Sequence, residues 1–393
     1  MSLDLFVFAG ETSGDVHGAA ILKRLKESHP NLKISGVAGP KMRDTGLELF
    51  MPMENFQIMG YSAVFKNLPR LIYLFKKTER YILKENPKAV LFIDFPGFNL
   101  RMAKALRKKG FSNKLIHYIC PTVWAHGKNR IFTLSNTLDS LLSIFPFEHK
   151  YFKETPLKPT YIGHPLIEQA SERAYSENWR EKYNIPIDAK LVGLFPGSRS
   201  HEIKQNFPKI LSSCELVKKK TPQYKFIVSV AEPKLEEAIK RHIASTSLKL
   251  NEDIYCISSN DNFEMMKDIE SSIATSGTIT FELGVMKVPT VVVYHLSKFN
   301  AFIARRVIKL NMPYYCIVNI ITKKHIFPEL YYIDFVPQKV ADSLLQLCNK
   351  NSYLYKTSLM GCNEMLEIMR SEKHPSTLAA LEISSLIYGK DAS

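Results

Sequence analysis

The chain has 393 residues, enough for two or three domains with large cores. At 45% hydrophobic and 23% charged residues it is neither disordered nor fibrous, and its formal net charge of +15 calls for an anionic partner: nucleic acid, an anionic membrane or a phosphorylated substrate. No zinc-finger spacing or RNA-reading aromatic strand accompanies that charge, and no apolar run reaches the roughly 18 residues of a membrane span.

The first elements set a βα rhythm. Leu3–Ala9 reads as a strand starting almost at the first residue, which is not a signal-peptide pattern. Gly10-Glu11-Thr12-Ser13-Gly14-Asp15 follows, then a helical pattern through Ala19, Ile21, Leu22 and Leu25, with Ser13 or Asp15 as its candidate cap. Polar residues at a strand's C-terminal end suit a ligand cleft, and they also suit a plain connection. Lys33–Ala38 is the next strand, closed by Gly39-Pro40, with a short helix expected over Met42–Gly46.

Residues 55–84 interleave apolar side chains, among them Phe65, Leu68, Leu71, Ile72 and Phe75, with Lys66, Arg70, Lys76, Lys77 and Arg80. Two readings fit: an amphipathic helix dipping into an anionic leaflet, or a core-facing helix with a solvated basic face. Ala89–Ile93 is a buried strand with Asp94 at its C-terminal end, before Phe95-Pro96-Gly97-Phe98-Asn99. That carboxylate suits a base of raised pKa and equally a turn or cap residue. Strands at Leu115–Cys120, Leu141–Phe145 and Thr160–Ile162 complete the first half. His126 and His164 fit catalytic or structural roles, and no cluster has metal-ligand spacing. The six cysteines form no C-x-x-C pair and read as reduced core residues of a cytosolic protein.

A polar, helical linker over Glu168–Glu181 leads into the second half. Its strands are Leu191–Phe195, Lys225–Val230, Ile254–Ser258, Ser272–Ala274 and Thr290–Tyr294, and the chain from about Val336 is helical. Leu191–Phe195 runs into Pro196-Gly197-Ser198-Arg199 and a helix, a common way to hold a phosphate with backbone N–H groups and a guanidinium fork. Ser276-Gly277-Thr278 opens another helix, with Glu282 one to two turns on, in reach of a ribose diol. Two such turns in one α/β half fit a nucleotide diphosphate, and both halves read as Rossmann-type domains.

Eight segments together resemble the lipid-A-disaccharide synthase family of inverting GT-B glycosyltransferases: Ala9–Ala19, Gly36–Met42, Ile93–Asn99, His117–Ala125, Phe145–Glu148, Ile162–Leu166, Pro196–Ile203 and Ser276–Gly284. The resemblance implies an α/β GT-B fold of two Rossmann-like domains facing a central cleft. It divides the chain into an acceptor and membrane-facing domain (1–166), a UDP-donor domain (167–350) and C-terminal helices (351–393) that pack back on the first domain or on a partner subunit. The implied reaction joins UDP-2,3-diacylglucosamine to 2,3-diacylglucosamine 1-phosphate, giving a β-1,6-linked disaccharide 1-phosphate and UDP. It implies no metal and no cofactor beyond UDP as carrier and product, no nucleic acid, a homodimer as one allowed assembly, and peripheral attachment to the inner face of the cytoplasmic membrane.

Residue by residue, the resemblance makes Asp94 the general base, Ser198 and Arg199 the diphosphate holders, Glu282 the ribose acceptor, and Ser276 and Thr278 phosphate helpers. It puts Asn319 near the donor and Glu11 and Ser13 in the cleft. It favours the membrane or acceptor reading for Phe65, Leu68, Arg70, Leu71, Ile72 and Phe75. The chain departs from the family pattern at Gly97, where many members carry a second Asp, at His126-Gly127 and at Ala63. The rival readings are another GT-B enzyme, such as a UDP-N-acetylglucosamine 2-epimerase, a catalytically silent nucleotide-sugar binder, and a nucleic-acid-binding protein suggested by charge alone.

Overall fold

The computed structural model describes residues 3–56, 68–123, 128–295 and 313–389. Its backbone contacts divide the chain into two compact units, residues 1–168 with 369–393, and residues 169–368.

The first unit alternates strand and helix: β1 (Leu5–Ala9), α1 (Thr12–Ser28), β2 (Ile34–Ala38), α2 (Pro40–Arg43), β3 (Glu48–Pro52), α3 (Leu68–Glu85), β4 (Ala89–Ile93), α4 (Pro96–Lys108), β5 (Lys114–Tyr118), α5 (Lys128–Thr137), β6 (Ser140–Ser143) and β7 (Thr160–Tyr161). All seven strands are parallel, in the order β3-β2-β1-β4-β5-β6-β7. The central strands β1 and β4 are buried throughout because helices cover both faces, so they read as continuous apolar runs. Phe6, Phe8, Val90, Phe92, Leu115 and Leu141 share one core with Leu74 and Ile82 of α3 and Met102 and Leu106 of α4.

The second unit repeats the plan. After α6 (Pro165–Glu172) and α7 (Trp179–Lys182) come β8 (Lys190–Phe195), α8 (Ser200–Lys220), β9 (Tyr224–Val230), α9 (Glu236–Ala244), β10 (Ile254–Ser258), α10 (Asn262–Asp268), β11 (Ser271–Thr275), α11 (Ile279–Val285), β12 (Thr290–Tyr294), α12 (Ile317–Thr322), β13 (Glu329–Tyr331), α13 (Pro337–Cys348), α14 (Tyr353–Ile368) and, back in the first unit, α15 (Pro375–Tyr388). Its strands are parallel in the order β10-β9-β8-β11-β12-β13. Alternation along β8 feeds two cores: Val192 and Leu194 pack with Phe207, Ile210 and Leu344 on one face, Leu191 and Phe195 with Trp179, Met265 and Leu283 on the other.

Three expectations change. The linker is not one helix: residues 173–178 leave the helical path, and Arg173 turns to pair with Glu264 at 3.0 Å. The boundary expected at 351 falls at 369, because α14 packs on α11, α12 and α13 of its own unit while α15 packs on α1. Neither Ser13 nor Asp15 caps α1. The buried Asp15 carboxylate instead accepts the N–H groups of Lys41 and Met42 at 2.9 and 3.0 Å and so caps α2. Gly39 belongs to that clamp, since a Cβ there would lie 2.5 Å from the Asp15 carboxyl.

Candidate active site

In an open parallel sheet, ligands bind beyond the strands' C-terminal ends where the strand order reverses. Each unit has one such point, between β1 and β4 and between β8 and β11. The sequence-derived candidates sit at both.

In the first unit, Glu11 follows β1 and Asp94 follows β4. Asp94 and Phe95 are both in left-handed backbone, at φ +46° and +47°, and Ile119, beyond β5, is at +73°. Such conformations cost about 1–3 kcal/mol each outside glycine and cluster at functional sites. The turn is held from several sides. Asp94 N–H donates to Tyr118 O at 2.9 Å, and the buried Asn99 amide donates to the carbonyls of Ile93 and Asp94. The Phe95 ring lies so close to Gly10 that a Cβ there would approach it to 2.7 Å, which locks the β1 and β4 loops together.

Burial raises the Asp94 carboxyl above the ordinary Asp value, against the pull of the Phe95 backbone N–H. Glu11 is raised as well, by desolvation first and then by the negative charge of Asp94. Ser13 is exposed in the first turn of α1. His164 is buried and pushed down to about 3 by desolvation and His17, and its Nδ1 accepts the Leu166 N–H at 3.2 Å, so it is structural. His126 and Ala63 lie outside the described residues. Gly97 is exposed, and a Cβ there would meet nothing within 4 Å.

In the second unit, Ser198, Arg199, Ser276 and Thr278 line one cavity of about 300 Å³ with Gly197, Gly277 and Ile279. The two turns are not equivalent. The Ser198 and Arg199 N–H groups both donate to Glu202 Oε2, at 2.9 and 3.2 Å, and Arg199 Nη1 donates to Glu202 Oε1 at 2.9 Å. Gly197, at φ +118°, makes room for that carboxylate. The first phosphate turn is therefore capped from within, and Arg199 is paired. The Arg199 side chain is 70% exposed, whereas that of Glu202 is 9% exposed, so the guanidinium is open to a ligand phosphate from the solvent side. In the other turn the N–H groups of Gly277, Thr278 and Ile279 have no acceptor among the described residues, while Ser276 N–H donates to Val293 O. Glu202 escaped the sequence reading, although an acidic residue at the third helical position is a capping-box signal.

Glu282 does not line this cavity. It sits in the first turn of α11, with burial pushing its carboxyl up to about 7. Asn319 is fully buried and its amide is saturated: it donates to Phe327 O and Glu329 Oε1 and accepts from Ile326 and Phe327 N–H. It pins the loop before β13 and presents no free group to a ligand. On α3, Leu68 and Ile72 are exposed, as is the neighbouring Tyr73, which the sequence reading did not single out. Leu71 is half-buried, Phe75 turns inward onto Phe98 with ring centroids 5.3 Å apart, and Arg70 donates to Asn55. Phe65 lies outside the described residues.

Residues 5–383 match the family described as lipid-A-disaccharide synthetase. The chain is 36% identical over 366 residues to a lipid-A-disaccharide synthase of Chlamydia pneumoniae, covering 93% of this chain and 59% of that protein. It thus spans about three-fifths of the length of the chlamydial relatives it matches. It is 30% identical over 357 residues to the lipid-A-disaccharide synthase of Coxiella burnetii (strain CbuK_Q154), covering 91% of each. Among solved structures it is similar to a glycosyltransferase from Rickettsia africae ESF-5 (TM-score 0.56, 13% identity, 98% of each chain) and to the UDP-GlcNAc 2-epimerase of Neisseria meningitidis bound to UDP-GlcNAc (TM-score 0.60, 13% identity, 98% of each chain). These likenesses show the GT-B fold, which transferases and epimerases share, whereas the match along nearly the whole sequence separates them: the chain belongs to the lipid-A-disaccharide synthetase family.

Proposed function

We propose that the chain is an inverting, metal-independent glycosyltransferase that joins UDP-2,3-diacylglucosamine to 2,3-diacylglucosamine 1-phosphate, forming the β-1,6-linked disaccharide 1-phosphate and UDP for lipid A. The observation that carries this reading is the family match over residues 5–383. Asp94 takes the proton of the acceptor's 6-hydroxyl as that oxygen attacks the donor's anomeric carbon. The bond from that carbon to the UDP oxygen breaks, its electron pair goes to the diphosphate, and the configuration inverts. A single base suffices, with no covalent intermediate. Arg199 and the N–H groups of Gly277, Thr278 and Ile279 offset the charge on the leaving diphosphate. Glu282, ionised above about pH 7, accepts from the ribose hydroxyls.

Both substrates carry acyl chains, so the reading includes peripheral attachment to the inner face of the cytoplasmic membrane. The exposed Leu68 and Ile72 on a basic helix support it. The test is a mass-spectrometric assay of the purified chain with both substrates in detergent and EDTA. A tetraacyl disaccharide 1-phosphate plus UDP is expected. No product with UDP still bound would redirect the reading to other sugar nucleotides and acceptors.

A further inference from the structure

The cavity of the second unit holds a charge of the wrong sign for a diphosphate. Among the described residues that line it, only Arg199 and Glu202 are charged, so its one cation meets a carboxylate and the lining is neutral overall. A diphosphate brings several negative charges to that space.

Glu202 is the third residue of α8, and its side chain folds back over the turn before the helix. Its Oε2 accepts the Ser198 and Arg199 N–H groups, and its Oε1 accepts from Arg199 Nη1. Two backbone N–H groups converging on one oxygen, with a guanidinium beside them, is the arrangement a phosphate group receives at a helix start. Here the carboxylate takes that position. Gly197 keeps the position clear, since a Cβ there would lie 2.6 Å from Glu202 Oε2. Capping alone does not require the charge, because a neutral Gln at the third helical position closes the same box.

We propose that Glu202 is a built-in anion that sets how tightly the UDP product is held. It competes with the diphosphate for Arg199. The other guanidinium N–H groups have no acceptor among the described residues and face a ligand from the solvent side, while Oε1 keeps Nη1 engaged. UDP is thereby held less tightly than Arg199 and the Gly277, Thr278 and Ile279 N–H groups alone would hold it, which favours release after transfer. Glu202 is a positioning residue, acting through Arg199. This inference rests on the UDP reading given above and adds to it the control of release.

The test is calorimetric titration of the full chain with UDP and with inorganic pyrophosphate. Glu202→Gln keeps an oxygen for the Ser198 and Arg199 N–H groups and removes the charge. It should bind both ligands about tenfold more tightly, a gain that the loss of a merely structural contact would not produce. UDP should become a stronger product inhibitor in proportion. Glu202→Asp keeps the charge and should show no gain. In an Arg199→Ala background Glu202→Gln should gain less, because the competition is gone. Unchanged or weaker binding in Glu202→Gln overturns the proposal, as does a gain in Glu202→Asp or an equal gain in both backgrounds. A wild-type chain that binds no UDP overturns the UDP reading instead, and the pyrophosphate comparison still decides the role of Glu202.

Discussion

Asp94 stands first in a pair of left-handed residues, the second of them the bulky Phe95, and that pairing is the best clue to its importance. Two consecutive non-glycine residues are left-handed here, and the Asn99 amide holds the Ile93 and Asp94 carbonyls in place. Asp94→Asn keeps the shape and removes the base. It should lower turnover by roughly 100-fold or more with donor affinity nearly intact, as measured by initial rates and UDP titration. Near-normal turnover would return Asp94 to the role of a turn residue. Glu148 makes a different prediction. It is fully buried, and desolvation pushes its carboxyl up to about 8 against the pull of the Phe145 and Ile144 backbone and Cys120. The unfolded value is 4.5, so between about 4.5 and about 8 the folded chain holds a proton that the unfolded chain has released. Stability from this group is full below 4.5 and is lost as pH rises towards 8. Glu148→Gln should flatten that part of the melting-temperature profile; an identical slope in both proteins would mean that the carboxyl is ionised in the fold. The strained turn and the buried carboxyl share a lesson: the residue types were visible in the sequence, but the backbone conformation and desolvation that give them their chemistry come from packing.

At the scale of elements, the sequence announces what is buried on both faces and conceals what is not. Ala89–Ile93 and Thr290–Tyr294 have the expected bounds because an unbroken apolar run is what a covered parallel strand requires. The edge strands β3 and β13 have no such run. Glu48 and Leu49 are exposed and Pro52 ends β3, while β13 is three half-buried residues. Helix ends were harder to read, because a cap partner can come from another element. Asp15 lies in α1 yet caps α2, and Glu202 folds back on the turn that precedes its own helix. The consequence reaches the site. The sequence offers two phosphate turns, and Glu202 sets them apart, leaving Gly277, Thr278 and Ile279 with the open donors.

At the scale of the whole molecule, a chain that reverses its strand order once in each sheet has two favoured edges, and Glu11, Asp94, Arg199 and Ser276 follow the four strands that form them. The charge of +15 is a property of the same scale and does not depend on either edge. It draws the chain towards anionic surfaces from about a Debye length away, ~8 Å at physiological salt, but it does not orient the chain there. Orientation needs an apolar anchor, and α3 offers one: Leu74, Thr78 and Ile82 face the core, while Leu68, Ile72 and Tyr73 remain exposed among Arg70, Lys76, Lys77 and Arg80. None of the described helices is long and apolar enough to cross a membrane, so binding through α3 would be interfacial. Sedimentation with vesicles containing anionic lipid should show binding that weakens as salt rises. Ile72→Glu with Tyr73→Glu should lower it about tenfold or more at every salt concentration, because two buried apolar contacts are replaced by repelled charges. If the double variant binds as the wild type does at low salt, the net charge alone carries the attachment and α3 is only a basic outer helix.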